Sequence, residues 1–185
     1  MIASVWSARP VGDAQSVSLG RGPSSARSAR AHGCQGLRFA AGTIADAPLG
    51  RVDILLALHA CDTATDDAID FALAREAQHL VLVPCCQAEV SRLLDEAKGP
   101  LHQLWRHPIQ RREFGAHVTN VIRGLYLESL GYKVRVTEFT GLEHTMKNEL
   151  ILAERHQRSN AQARAELDRL IGQLGIKPGL LDALP

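Results

Sequence analysis

The chain has 185 residues, of which 45% are hydrophobic, 22% charged and 4% aromatic, with a formal net charge of +1. That much apolar material excludes wholesale disorder. No apolar run approaches the length of about 18 residues that a transmembrane helix needs, and the near-neutral balance excludes a globally basic nucleic-acid binder. Four cysteines, two of them adjacent (Cys85, Cys86), are too few for a disulfide scaffold. The expectation is one soluble α/β domain of a reducing, cytoplasmic compartment, with no membrane contact.

The net charge hides an asymmetry. Residues 1–50 carry five Arg against two Asp, whereas residues 51–100 carry four basic and nine acidic side chains. The acidic block gathers at Asp62, Asp66, Asp67 and Asp70, where a helix N-terminus would stabilise carboxylates.

Residues 1–30 are rich in Ser, Arg, Ala and Gly, with Asp13 as their one acid, and hold no sustained apolar period. They are expected to be irregular. Their composition superficially resembles a transit peptide and equally resembles random coding sequence from a GC-rich gene, and they lack the apolar centre of a secretory signal. Regular patterning begins near Ala31. Leu37–Ala40 is a short strand, followed by Gly42-Thr43-Ile44. VDILLAL (52–58) is a nearly continuous apolar run and predicts a strand buried on both faces. Asp62 or Thr65 then caps a helix running to about Gln78, and HLVLVP (79–84) is a second buried strand. Val90, Leu93, Leu94 and Ala97 recur at helical spacing, and that helix ends before Gly99-Pro100.

Leu101–Phe114 reads as a basic, irregular connector. Val118, Ile122, Leu125 and Ser129 mark a third helix, stopped by Gly131. YKVRVTEF (132–139) alternates as a half-exposed strand and NELILAE (148–154) is another, the two pairing antiparallel. Ser159 caps a last helix closed by Gly175. The domain thus spans 31–156, with 157–185 as a helix and tail. Alternating strands and helices predict a mostly parallel, doubly wound Rossmann-like sheet with an antiparallel terminal hairpin.

Ligands of such sheets bind beyond the C-terminal strand ends, and reactive residues are dense there. His59, Cys61, Asp62, Thr65 and Asp66 follow Leu58; Cys85, Cys86 and Gln87 follow Val83; Glu143, His144, Lys147 and Asn148 follow Phe139. Each also has a structural explanation. His59 could be a buried histidine bonded to a carbonyl, the cysteines small core residues, Asp62 and Asp66 caps, and Glu143 with Lys147 a surface pair. Cys86 near a helix N-terminus could be an activated thiol. A zinc site from His59, Cys61, Cys85 and Cys86 is disfavoured, because neighbours in extended chain point to opposite sides; no metal is expected.

The stretch VDILLALHACDTATDDAI, followed by LVLVPCCQ, resembles a family of class I S-adenosylmethionine-dependent methyltransferases. It is more distantly similar to tRNA acceptor-stem 2′-O-methyltransferases. The His-x-Cys-Asp-x-x-Thr-Asp run (His59, Cys61, Asp62, Thr65, Asp66), the Cys85-Cys86 pair and the Glu-His-Thr-x-Lys-Asn run (Glu143–Asn148) occur in the family's order. The resemblance covers about 31–156. It implies S-adenosyl-L-methionine as cofactor, with Gly42, Thr43, Ile44, His59, Ala60 and Cys61 on the cofactor side. His59, Asp62, Asp66, Glu143 and His144 are the implied catalytic residues, with His59 the base. Cys85, Cys86, Lys147 and Asn148 line the substrate side. RNA is the implied acceptor class, with RHPIQRR (106–112) available to phosphates.

The family's opening strand, Gly-rich turn and ribose-binding acid are not recognisable; SLGRGP (18–23) has glycines but no strand before it. The first two strands are therefore expected to be missing and residues 1–27 to be a mis-called start. Three functions stand open: a methyltransferase, a catalytically inactive methyltransferase-like fragment serving as a binding module, and a thiol- or metal-dependent site.

Overall fold

The computed structural model describes residues 2–7, 15–19, 27, 31–33, 37–40, 43–44, 47, 49–58, 60–138 and 148–183. Among them, seven strands form one sheet: β1 (Ile2–Ser7), β2 (Gln15–Leu19), β3 (Leu37–Ala40), β4 (Ile54–Leu58), β5 (His79–Val83), β6 (Tyr132–Glu138) and β7 (Glu149–Arg155). Their order is β3-β2-β1-β4-β5-β7-β6. The five strands other than β1 and β7 share one direction. The two reversed strands lie inside the sheet, so only β2–β3 and β4–β5 pair in parallel. The expected β6–β7 hairpin is present, with Val134 opposite Ala153.

Two expectations about the N-terminus are corrected. Residues 2–7 and 15–19 are strands, not irregular chain, and they fill the two places between β3 and β4 that were expected to be vacant. The physical reason is the edge of β4, whose unpaired N–H and C=O groups template any chain able to extend beside them. IASVWS and QSVSL can, because Val5, Trp6 and Val17 favour the pleated conformation. The seven residues between them are fewer than a parallel crossover needs, so the two pair as antiparallel neighbours, β1 runs against β4 and Ile2 lies opposite Leu58.

Burial along β4 alternates. Leu55 and Ala57 are buried, with Leu80, Leu82, Ile151 and Ala153 on the same face, whereas Ile54, Leu56 and Leu58 are half-buried. The expectation of a strand buried on both faces therefore holds for one face. The α-helices that follow β4 are α1 (Ala64–Ala74), α2 (Glu89–Glu96), α3 (Pro108–Ser129) and α4 (Ala161–Leu174). Helix α1 packs on β4 and β5, and α3 on β6 and β7. No described helix is long and apolar enough to cross a membrane.

The expected irregular connector is shorter than 101–114. Pro108, at the first helical position where its missing N–H costs nothing, starts the 22-residue α3. Ahead of it Trp105 is fully buried, donates its Nε1–H to the Ala97 carbonyl at 3.4 Å and stacks on Phe114. Gly115 lets α3 meet α2, since a Cβ there would stand 2.8 Å from the Ser91 backbone. Asn160, not Ser159, caps α4 by accepting from the Gln162 and Ala163 amides.

Candidate functional site

Because β4 and β5 are parallel neighbours with Leu58 opposite Val83, the segments that follow them emerge side by side. Asp62 locks the two together. Its backbone sits at φ 53°, a left-handed conformation that Asp tolerates better than most residues. Its amide donates to the Cys86 carbonyl at 2.6 Å. Its Oδ1 accepts from the Ala88 and Glu89 amides at 2.8 and 2.9 Å, and its Oδ2 from Arg92 at 3.1 Å. Asp62 was expected to cap α1, whose N-cap is Thr63 with no side-chain bond; it caps α2 instead, across the loop.

Burial raises the Asp62 carboxyl pKa, but the Ala88 and Glu89 amides and Arg92 outweigh that and hold it below its usual 3.8. A depressed carboxyl contributes stability above its unfolded pKa and loses it as pH falls through the folded value. Asp62→Ala should therefore cost about 1 kcal/mol at neutral pH, with a gap to the parent chain that narrows as pH falls below about 3.8. Urea midpoints of both proteins across pH measure this; a gap that widens in acid would contradict it.

The same turn gathers three thiols, none in a disulfide. Cys61 Sγ and Cys85 Sγ are 3.1 Å apart, and the Sγ atoms of Cys61, Cys85 and Cys86 all lie within 4.8 Å of one another. The expectation that adjacent cysteines cannot converge is corrected: residues 84–88 have left the strand, so pleat alternation no longer governs them. Burial, then the Cys61 and Cys86 thiols beside it, push Cys85 up to about 12, so it is a protonated, weak nucleophile at neutral pH.

Behind the thiols lies a buried polar network. Arg123, on α3, has no exposed surface. Its Nε donates to Asp66 Oδ1 at 2.7 Å, and its two terminal nitrogens donate to Asn120 Oδ1 at 3.2 Å and to the Asp62 carbonyl at 2.8 Å. Burial raises the Asp66 carboxyl above 3.8, and the Arg123 hydrogen bond and charge offset only part of that rise. Thr65 donates its hydroxyl to the Ala60 carbonyl at 2.6 Å and fixes the turn from within.

Asn120 carries the network outward. Its Oδ1 also accepts from Gln87 Nε2 at 3.3 Å, its Nδ2 donates to Glu149, and His117 Nδ1 stands 3.7 Å from the second Glu149 oxygen. Gln87, Glu113, His117, Asn120 and Glu149, with Pro84 and Ala116, line a cleft of about 150 Å³. It presents carboxylate, imidazole and amide groups, a lining suited to a small polar moiety rather than an apolar one.

Of the residues singled out in the sequence, Cys61, Asp62, Asp66, Cys85 and Cys86 come together here. Asp62 and Asp66 are each engaged in holding neighbouring elements. Ala60 is buried beneath them; Asn148 is buried next to Glu149, at the start of β7. Thr43 is exposed and Ile44 is in the core. Gly42, His59, Glu143, His144 and Lys147 lie outside the described residues. Sequence reasoning placed Gln87 at the strand end after Val83 but missed His117, Asn120, Arg123 and Glu149. The signal was the i,i+3 pair Asn120 and Arg123, set among apolar residues in VTNVIRGLYL.

A family model described as a methyltransferase domain matches residues 21–93. The matched segment contains β3, β4, α1 and β5 and ends in α2, so it includes both the Ala60–Asp66 and the Pro84–Gln87 turns. No curated protein and no solved structure matches the chain.

Proposed function

We propose that this chain is an S-adenosylmethionine-dependent methyltransferase with an RNA acceptor. The observation that carries the reading is the position of the family match, whose residues 21–93 build the turns after β4 and β5. The strand order supports it. The strands follow the 3-2-1-4-5 progression of doubly wound sheets, with β1 reversed against β4.

Bound S-adenosylmethionine would supply an electrophilic methyl group. We assign its adenine half to the segments after β3 and β4, where Thr43 and Cys61 are exposed and Ile44 and Ala60 are buried; Gly42, also assigned there, lies outside the described residues. The ribose and methionine half does not fit among the described residues. Ile2, the start of a reversed strand, lies opposite Leu58 where a Gly-rich turn is needed, and β2 ends at Leu19 without a carboxylate. That mismatch favours a second reading, a methyltransferase-like binding module without turnover.

In the first reading His59 takes the proton from an acceptor hydroxyl. Asp62 and Asp66 position the turn that carries it, and the Gln87–Glu149 cleft orients the acceptor. Glu143, His144, Lys147 and Asn148 close the acceptor side. In the 106–112 stretch Arg111 pairs with Asp95 and Arg112 with Glu113, so Arg106, hydrogen-bonded to His107, carries the charge facing a phosphate.

Incubation with methyl-labelled S-adenosylmethionine and total RNA tests this. Label should enter RNA, and His59→Ala should slow transfer by about 100-fold or more with an unchanged circular dichroism spectrum. Unlabelled RNA, or full activity in the variant, contradicts it.

A further inference from the structure

We propose that Cys61, Cys85 and Cys86 form a tri-thiolate site for a zinc ion, an assignment that goes beyond methyl transfer and does not depend on it.

Three observations carry it. The first is convergence from distant chain: parallel β4 and β5 deliver Cys61 beside a Cys-Cys pair that lies 24 residues on, at Cys85. The second is spacing. Thiolates about 2.3 Å from one tetrahedral zinc lie roughly 3.8 Å apart. The three Sγ atoms all lie within 4.8 Å of one another, within reach of that separation. The 3.1 Å Cys61–Cys85 contact is well beyond the roughly 2.05 Å of a disulfide bond, and a small outward rotation of either thiol admits the ion.

The third is support from the surrounding turn. The Asp62 amide binds the Cys86 carbonyl and the Asp62 carboxylate binds the Ala88 and Glu89 amides, so the two cysteine-bearing turns are fixed before any ligand arrives. Such backing is what holds metal ligands in register. Cys61 and Cys86 are exposed, so an ion has a path in, and the fourth position opens to solvent or an exchangeable ligand. On binding, each thiol releases its proton to buffer as its sulfur bonds the ion.

The test uses the full chain, reduced and stripped of metal. Co²⁺ titration should give a thiolate-to-cobalt charge-transfer band saturating at about one ion per chain, bleached by Zn²⁺. Zn²⁺ should also protect three thiols from a disulfide reagent. Cys85→Ser should abolish the band. Asp62→Asn, a positioning change that keeps the left-handed turn, should weaken Co²⁺ binding about 10- to 100-fold. The parent chain alone keeps the proposal falsifiable should either variant fail to fold. Absence of the band, or thiols that react equally with and without Zn²⁺, would overturn it.

Discussion

Arg123→Ala is expected to lower the free energy of unfolding by about 3–5 kcal/mol. The guanidinium is fully buried and holds Asp66, Asn120 and the Asp62 carbonyl at once. Truncation leaves the Asp66 carboxylate buried beside a void with no opposing charge, which is far costlier than the intact pair was favourable. Against a typical total of about 5–15 kcal/mol, that is a large fraction of the fold's stability. Removing both charges separates the desolvation cost from the packing. Arg123→Met with Asp66→Leu should recover most of the loss, because two apolar side chains of similar volume leave no orphaned ion. Urea unfolding of the three proteins decides the matter. A single variant within about 1 kcal/mol of the parent, or a double variant no better than the single, would refute the account of the network.

Gly131→Ala should cost more than about 2 kcal/mol. Gly131 ends α3 at φ 89°, where a side chain is strained, and a Cβ there would overlap the Gln157 carbonyl. The obstacle is backbone, and that backbone is fixed: the His156 and Gln157 amides both donate to the Gly131 carbonyl at 3.0 Å. Relieving the overlap means parting α3 from the connection between β7 and α4. Gly172 is the control. It lies inside α4 with nothing within 4 Å of an added Cβ, so Gly172→Ala should stabilise by up to about 1 kcal/mol. Equal effects from the two substitutions would contradict the reading of Gly131.

The hydrophobic pattern alone identified β4, β5, the β6–β7 hairpin and the order of helices between them. These elements bury contiguous or alternating apolar residues, and their period reports the burial directly. What it could not report was pairing that depends on an edge offered by another strand. IASVWS and QSVSL carry no long period; they become strands because β4 and β3 present open ladders. The site divides in the same way. Cys61, Asp62, Asp66, Cys85 and Cys86 were found because they follow buried strands. Arg123 and Asn120 were not, since an arginine on a helix reads as solvated until its partners, 57 positions away at Asp66, are known. Asp62 illustrates the limit most clearly. Its residue type announces a cap, but the helix it caps is not the one that follows it.

Isothermal calorimetry of the full chain with S-adenosylmethionine tests the central reading most directly, because it asks whether the turns after β3 and β4 hold the cofactor despite the reversed β1. Saturable heat of binding, reproduced by the demethylated product S-adenosylhomocysteine, is the predicted result. No heat at millimolar ligand would contradict it and leave the binding module as the function of this fold.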